Sequence, residues 1–380
     1  ISKTQAVEDQ EKSEPIPLTS FLKYANVFYL SIGMLAYDHK NNGKRRQLLL
    51  HWIFVAQMVN LNAVLLSELI YVFLAIASDL KIWHIWRQRN KLTQVVNELE
   101  HLHPQRLDQQ VTYNVKDHLS GYRRYSKFYF GMHLVLIWTY NLYWAVYYLV
   151  CDFWLGRMLP YYCWVPWNWK TGHSYNYYLM YVSQNIAGQA CLSGQLAADM
   201  LMCALVTLLV MHFLRLSGHI EGHVAGVASP KRDLQFLQAR LLNLCQHINE
   251  IFGVSLLCNF VSSSFIICFV GFQMTIGGKI DNLVMLVLFL FCAMVQVFMI
   301  ATYAQRLIDA SEQIGQAVYN HDWYNANLRY RKMLVLIVKR AQQPSCLKAT
   351  MFLSVSLVTV ADLLQLSYKF FALLRTMYST

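Results

Sequence analysis

The sequence predicts an all-α polytopic membrane protein, and three observations carry that prediction. Of its 380 residues, 56% are hydrophobic and 14% charged, with a mean hydropathy of +0.30. Soluble domains hold about a quarter charged residues. The apolar residues gather into runs near 48–77, 128–150, 177–214, 251–276, 283–301 and 351–374, and a helical crossing needs roughly 20 such residues. Between the runs, Lys and Arg alternate in density. Segment 81–127 holds nine, 152–175 two, 215–240 four, 277–282 one and 306–348 seven. The rich segments read as cytoplasmic and the poor ones as external, which leaves the C-terminus outside.

Residues 1–47 contain seven Lys/Arg and no apolar stretch ahead of a small-residue cleavage site. They read as a cytoplasmic N-terminal segment. This creates a parity problem, because two cytoplasmic flanks require an even number of crossings between them. The stretch 47–80 has room for one helix of roughly 20 residues but not for two and a turn. Farther along, the run from Tyr177 is too long for one upright crossing, so it tilts or projects beyond the bilayer. Segments 301–318 and 323–343 have helical patterning with mixed charge, are separated by "YNHDWYNAN", and close before Pro344. They read as cytoplasmic helices beneath the membrane.

Composition and motifs exclude several classes. The net charge of +11 comes without any nucleic-acid module and reads as flanking charge. Most of the nine cysteines lie inside apolar runs, where Cys behaves as a small hydrophobe. Cys151 and Cys163 flank one loop and could form a disulfide if that loop is extracellular, an alternative the sequence leaves open. No Asn-x-Ser/Thr sequon occurs. In "HIEGH", His219 and His223 share a helix face but lack a third ligand at a readable spacing. They read as polar residues facing water, as do His101 and His103 in "HLHP". Gly277–Lys279 reads as a turn. With no Gly-x-Ser-x-Gly or His-Glu-x-x-His, neither enzyme chemistry nor a cofactor is expected. The potassium-filter sequence is absent. So are the Asp-Arg-Tyr and Asn-Pro-x-x-Tyr motifs of G-protein-coupled receptors, whose sidedness is also the reverse of the one read here.

Two regions carry functional character. On a helical wheel, Asp362, Gln365, Lys369 and Thr376 fall within about 60° of one another, a polar stripe on the last apolar segment. An ionisable side chain at that depth costs about 2.5–3.5 kcal/mol, so the stripe packs on another helix or borders an ion pathway. In "IWTYNLYWAVYYLVCDFW", Trp138, Asn141, Trp144 and Tyr148 recur at helical spacing. They form either an interfacial aromatic belt or one wall of an apolar pocket with a few polar groups.

Several stretches acquire a common meaning together: "YYCWVPWNW" (161–169), "VSSSFIICFVGFQ", Trp323 followed by "RYRKMLVLIVKRAQQP", and "LLQLSYKFFALLRTMY". In this order they resemble the insect odorant receptor family, and within it a fly-type odour-tuning subunit. The resemblance runs over nearly the whole chain and is most specific in its final 60 residues. It implies a seven-transmembrane fold with a cytoplasmic N-terminus and an extracellular C-terminus. It also implies an odorant-gated, non-selective cation channel in the plasma membrane of the olfactory neuron dendrite, assembled as a heterotetramer with the family's co-receptor. The implied division is a cytoplasmic segment 1–47, crossings and loops 48–300, anchor helices 301–349 where subunits meet, and a pore-lining helix 350–380. Carried over by position, the odour pocket takes Trp144, Tyr147 and Tyr148, then Tyr181, Asn185 and Gly188, with Phe272 and Met274 closing it. An outer constriction falls at Phe371 and Leu374 with Arg375 beside it, leaving Asp362, Gln365 and Lys369 to inter-helix contacts.

The sequence departs from the family where the parity problem lies. The second helix is expected to be truncated or missing, since "LAIASDLKIWHIWRQ" runs directly on from the first crossing. Besides an odorant receptor, the sequence therefore leaves open a homomeric gustatory-type channel and a truncated, non-functional receptor.

Overall fold

The computed structural model describes residues 15–37, 52–55, 69–151, 174–222, 231–276, 280–350 and 353–379. Besides a helical stretch at 52–55, these residues form ten α-helices and one short 3-10 turn. The helices are α1 (Thr19–Ser31), α2 (Leu69–Arg87), α3 (Arg89–Leu102), α4 (Leu107–Thr112) and α5 (Val115–Cys151). They continue with α6 (Ser174–Glu221), α7 (Lys231–Ile276), α8 (Ile280–Asn320), α9 (Leu328–Ala341) and α10 (Leu357–Ser379).

Helix α6 is the axis of the bundle. Its 48 residues span about 72 Å at roughly 1.5 Å per residue, against a bilayer core of about 30 Å. The long run from Tyr177 is therefore one continuous helix. The most apolar stretch of α6 is wholly buried, because α1, α2, α5, α7 and α8 all pack against it. A helix apolar all round is stable only when neighbours enclose it. The core cluster accordingly runs along α6 from Ala190 to Ile220 and gathers Phe21 and Leu22 of α1, Ile82 and Ile85 of α2, Phe252 of α7 and Leu307 of α8.

Inside the segment 1–47, expected to be cytoplasmic, α1 is a packed amphipathic helix whose Phe21, Leu22 and Ala25 have no exposed surface. It ends in a Schellman arrangement. Gly33 takes φ 76°, the Gly33 amide donates to Leu30 O at 3.0 Å, and the Met34 amide donates to Tyr29 O at 2.9 Å. Glycine adopts that left-handed conformation without a Cβ penalty. The sequence "LAIASDLKIWHIWR" forms helix α2 in its own right. The residues that join α2 to the helical stretch 52–55 lie outside the described residues.

At the other end, 301–318 is not a separate helix. It continues the apolar run 283–301, since α8 runs unbroken for 41 residues. The polar break before α9 falls where its sequence predicts. The Asn327 side chain caps α9 by accepting from the Tyr330 amide at 2.9 Å, and Lys339 and Arg340 occupy its last turn, where cations meet the negative end of the helix. Helix α9 stops three residues before Pro344, which disfavours helix in the residue preceding it. A short turn then carries an antiparallel bridge between Lys348 and Ser354. It is fastened to α7 by Asn249, whose amide donates to Cys346 O at 3.0 Å and whose Oδ1 accepts from the Lys348 amide at 3.1 Å. Ser356 and Thr359 cap α10 reciprocally: the Ser356 amide donates to Thr359 Oγ1 at 2.7 Å, and the Thr359 amide donates to Ser356 Oγ at 3.4 Å.

Candidate functional site

The predicted pocket residues fall on three helices. Trp144, Tyr147 and Tyr148 lie on α5, but their side chains are outside those described, and so is that of Cys151. Cys163, His223 and Gly277–Lys279 lie outside the described residues altogether. Tyr181, Asn185 and Gly188 occupy successive turns of α6, with Gly188 buried and the other two half-buried. The Tyr181 hydroxyl donates to the carbonyl oxygen of Asn141 on α5, and Asn185 Nδ2 donates to Tyr181 O at 2.7 Å. These bonds join the α5 and α6 walls. The structure adds one group here. Asn141 is buried, and among the described residues its Oδ1 has no hydrogen-bond partner, so it stands as an acceptor for a donor that those residues do not supply. Phe272 and Met274 lie half-buried near the end of α7. Met274 belongs to a separate small cluster with Ile266, Val270 and Ala293.

Helix α10 contrasts with α6, since only 17% of its most apolar stretch is buried. One side, carrying Val360, Leu363 and Ser367, packs on the protomer. The hydroxyls of Ser367 and Ser264 on α7 lie 3.3 Å apart, and the Phe371 ring closes over Gly271. Phe371 and Leu374 are half-buried on this packed side, and Arg375 is exposed. Asp362, Gln365 and Lys369 sit on the opposite, exposed side, so the polar stripe points away from the protomer.

The most extensive polar network among the described residues joins side chains far apart in sequence. Lys81 was counted with the cytoplasmic loop that follows it, but it has no exposed surface. Its ammonium donates to Gln195 Oε1 on α6 and Asn259 Oδ1 on α7 and lies 3.6 Å from Asp199 Oδ1, itself 1% exposed. Asn259 Nδ2 donates to Asp199 Oδ1 at 2.8 Å. Gln296 Nε2 on α8 donates to Asp199 Oδ2 at 2.7 Å, and the Tyr129 hydroxyl on α5 lies 3.5 Å from the same oxygen. Five helices thus meet on one ion pair. An unpaired charge at that depth is costly, whereas a paired and fully hydrogen-bonded one is tolerated. One turn above Lys81, Ser78 Oγ donates to Cys191 O at 3.0 Å. A Cβ on Gly194 would stand 2.5 Å from Ile82 Cδ1, so α2 reaches α6 only because position 194 lacks a side chain.

His103 was also read as facing water, and it is 4% exposed. Its Nε2–H donates to Ile16 O at 2.9 Å. Gln110 holds the same residue from both sides, accepting from the Ile16 amide at 2.9 Å and donating to Ile16 O at 3.0 Å. His101, by contrast, is exposed.

The "7tm Odorant receptor" family model matches residues 62–368. The chain belongs to the odorant receptor family. It is 74% identical to putative odorant receptor 85d of Drosophila melanogaster, over 99% of this chain and 98% of that protein. Odorant receptor 85b of the same fly is 40% identical over 95% of this chain and its own full length. Among solved structures, the insect olfactory receptor OR5 from Machilis hrabei in complex with eugenol superposes with a TM-score of 0.81 at 15% identity, covering 95% of this chain and 98% of that one. The likeness is one of fold, an all-helical, membrane-type bundle.

Proposed function

We propose that this odorant receptor is the odour-tuning subunit of a ligand-gated, non-selective cation channel. It binds small volatile molecules, is assembled as a heterotetramer with the family's co-receptor, and works in the plasma membrane of the olfactory neuron dendrite. The observation that carries this reading is α10. A terminal apolar helix that exposes Asp362, Gln365 and Lys369 on one side cannot face lipid there without several kcal/mol of penalty. Water in a shared conduit, or the flank of another subunit, relieves it. The outward groove of about 1110 Å³ between α8 and α9, lined by Tyr319, Trp323, Leu334 and Val338, supports 301–349 as the region where subunits meet. The pocket proposed at Trp144, Tyr147, Tyr148, Tyr181, Asn185, Gly188, Phe272 and Met274 has Asn141 as its free acceptor, so a volatile carrying a hydroxyl group suits it. On this reading the N-terminus lies in the cytoplasm and the C-terminus outside, as the alternation of Lys and Arg supports.

Whole-cell recording with the insect co-receptor in a non-neuronal cell, during a panel of volatile alcohols, ketones and esters, tests the reading. An inward cation current that requires both subunits is expected, with altered tuning in Tyr148→Ala and selective loss of alcohol responses in Asn141→Leu. Current from this chain alone would favour a homomeric gustatory-type channel. A second reading, a truncated receptor without activity, has its own support. The alignment with receptor 85d is 406 residues long on a 380-residue chain, so the relative has positions with no counterpart here. A shortening of the stretch ahead of α2 is proposed to account for them.

A further inference from the structure

We infer that Lys81 is a positioning residue for α10, acting through α7. The ammonium of Lys81 reaches α7 at Asn259, and Asn259 is tied again to the buried pair through Asp199 at 2.8 Å. Five residues farther along the same helix, Ser264 meets Ser367 of α10, and Gly271 carries the Phe371 ring. At about 100° per residue, Asn259 and Ser264 lie about 140° apart around the helix. One side of α7 therefore faces the ion pair while the other supports α10. A helix moves as a rigid rod in a close-packed interior, so a shift of α7 toward or away from the network opens or closes its contact with α10. Gln296 at 2.7 Å from Asp199 holds α8 to the same pair. The network is thus the fixed point from which α7 is set.

Charge makes this fixed point sensitive. Removing Lys81 leaves the Asp199 carboxylate buried without its cation, and removing Asp199 does the reverse. Either change drives water or a displaced helix into the site, whereas removing both leaves no lone charge. Only the description of α10 as a pore helix rests on the channel reading above. The geometry between α7 and α10 does not.

The test places cysteines at Ser264 and Ser367 in the full chain, co-expressed with the co-receptor. It follows oxidative crosslinking in surface-labelled protein against each single-cysteine control. Lys81→Met and Asp199→Asn are each expected to slow crosslinking about tenfold, and the double variant to recover most of it. Asn259→Leu keeps the ion pair and cuts its tie to α7, so it too should slow crosslinking. If the charge variants do not reach the surface, Asn259→Leu decides alone. Wild-type crosslinking in Asn259→Leu, or in surface-delivered Lys81→Met, overturns the inference. Odorant-independent current recorded from the same cells separates the two proposals. Altered crosslinking without current in any variant supports the positioning role and counts against the channel.

Discussion

His103 shows at the scale of one residue how a polar side chain becomes part of the core. Burial holds its imidazole below its ordinary pKa, and the hydrogen bond to Ile16 O only partly offsets this. The folded protein therefore keeps His103 neutral where the unfolded chain, with an ordinary value of about 6.5, binds a proton. In that interval the unfolded state carries more protons, so stability rises with pH. His103 contributes its full share above about pH 6.5 and loses it as pH falls through the lower folded value. Acidification from pH 7.5 to 5.5 should lower the melting temperature of the solubilised receptor and speed proteolysis ahead of α1. His103→Gln, which cannot titrate, should flatten that dependence. An unchanged pH profile in His103→Gln would place the acid-sensitive group elsewhere. Neither this role nor that of Lys81 was legible in the sequence, for the same physical reason. The partners are remote, with Ile16 lying 87 residues from His103 and Gln195 114 residues from Lys81. A window around Lys81 shows only a lysine next to a charged loop.

At the scale of the element, helical spans and breaks were readable because they rest on local chemistry. The Asn327 cap, the polar stretch before it and Pro344 bracket α9 within a few residues. The facing of α10 was not readable, because apolar residues cover most of its circumference and the wheel identifies a stripe without saying what the stripe meets. The structure turns Asp362, Gln365 and Lys369 outward and lays Phe371 on Gly271. This sharpens a choice between two pore faces. If water runs along the stripe, cysteines at Gln365 and Lys369 should react with a membrane-impermeant thiol reagent at least about tenfold faster than one at Phe371, following their exposure in the fold. If the constriction lies at Phe371, Leu374 and Arg375, as proposed from the resemblance, Phe371→Cys should react mainly while the channel is open. That result requires α10 to turn on α7, the motion the Lys81 network would control.

At the scale of the whole molecule, the number of crossings and the charge of their flanks have to agree. Flanks 1–47 and 81–127 are both rich in Lys and Arg, and an odd number of crossings between them forces one onto the wrong side of the membrane. Burial of Lys81 within the bundle removes one charge from the second flank without resolving the conflict. The structure keeps the family fold and gives α2 a full 19 residues, so α2 itself is not shortened, and we propose that the shortening lies in the stretch ahead of it. Replacing residues 38–68 with the corresponding part of that relative should therefore restore parity. An N-terminal epitope tag, accessible from outside in part of the native population, should become uniformly cytoplasmic in the chimera. Surface delivery and odorant-evoked current with the co-receptor should rise together. If the unmodified chain already shows a uniformly cytoplasmic tag and equal current, the chain is complete in function, and the short stretch before α2 crosses the membrane in a way its length does not predict.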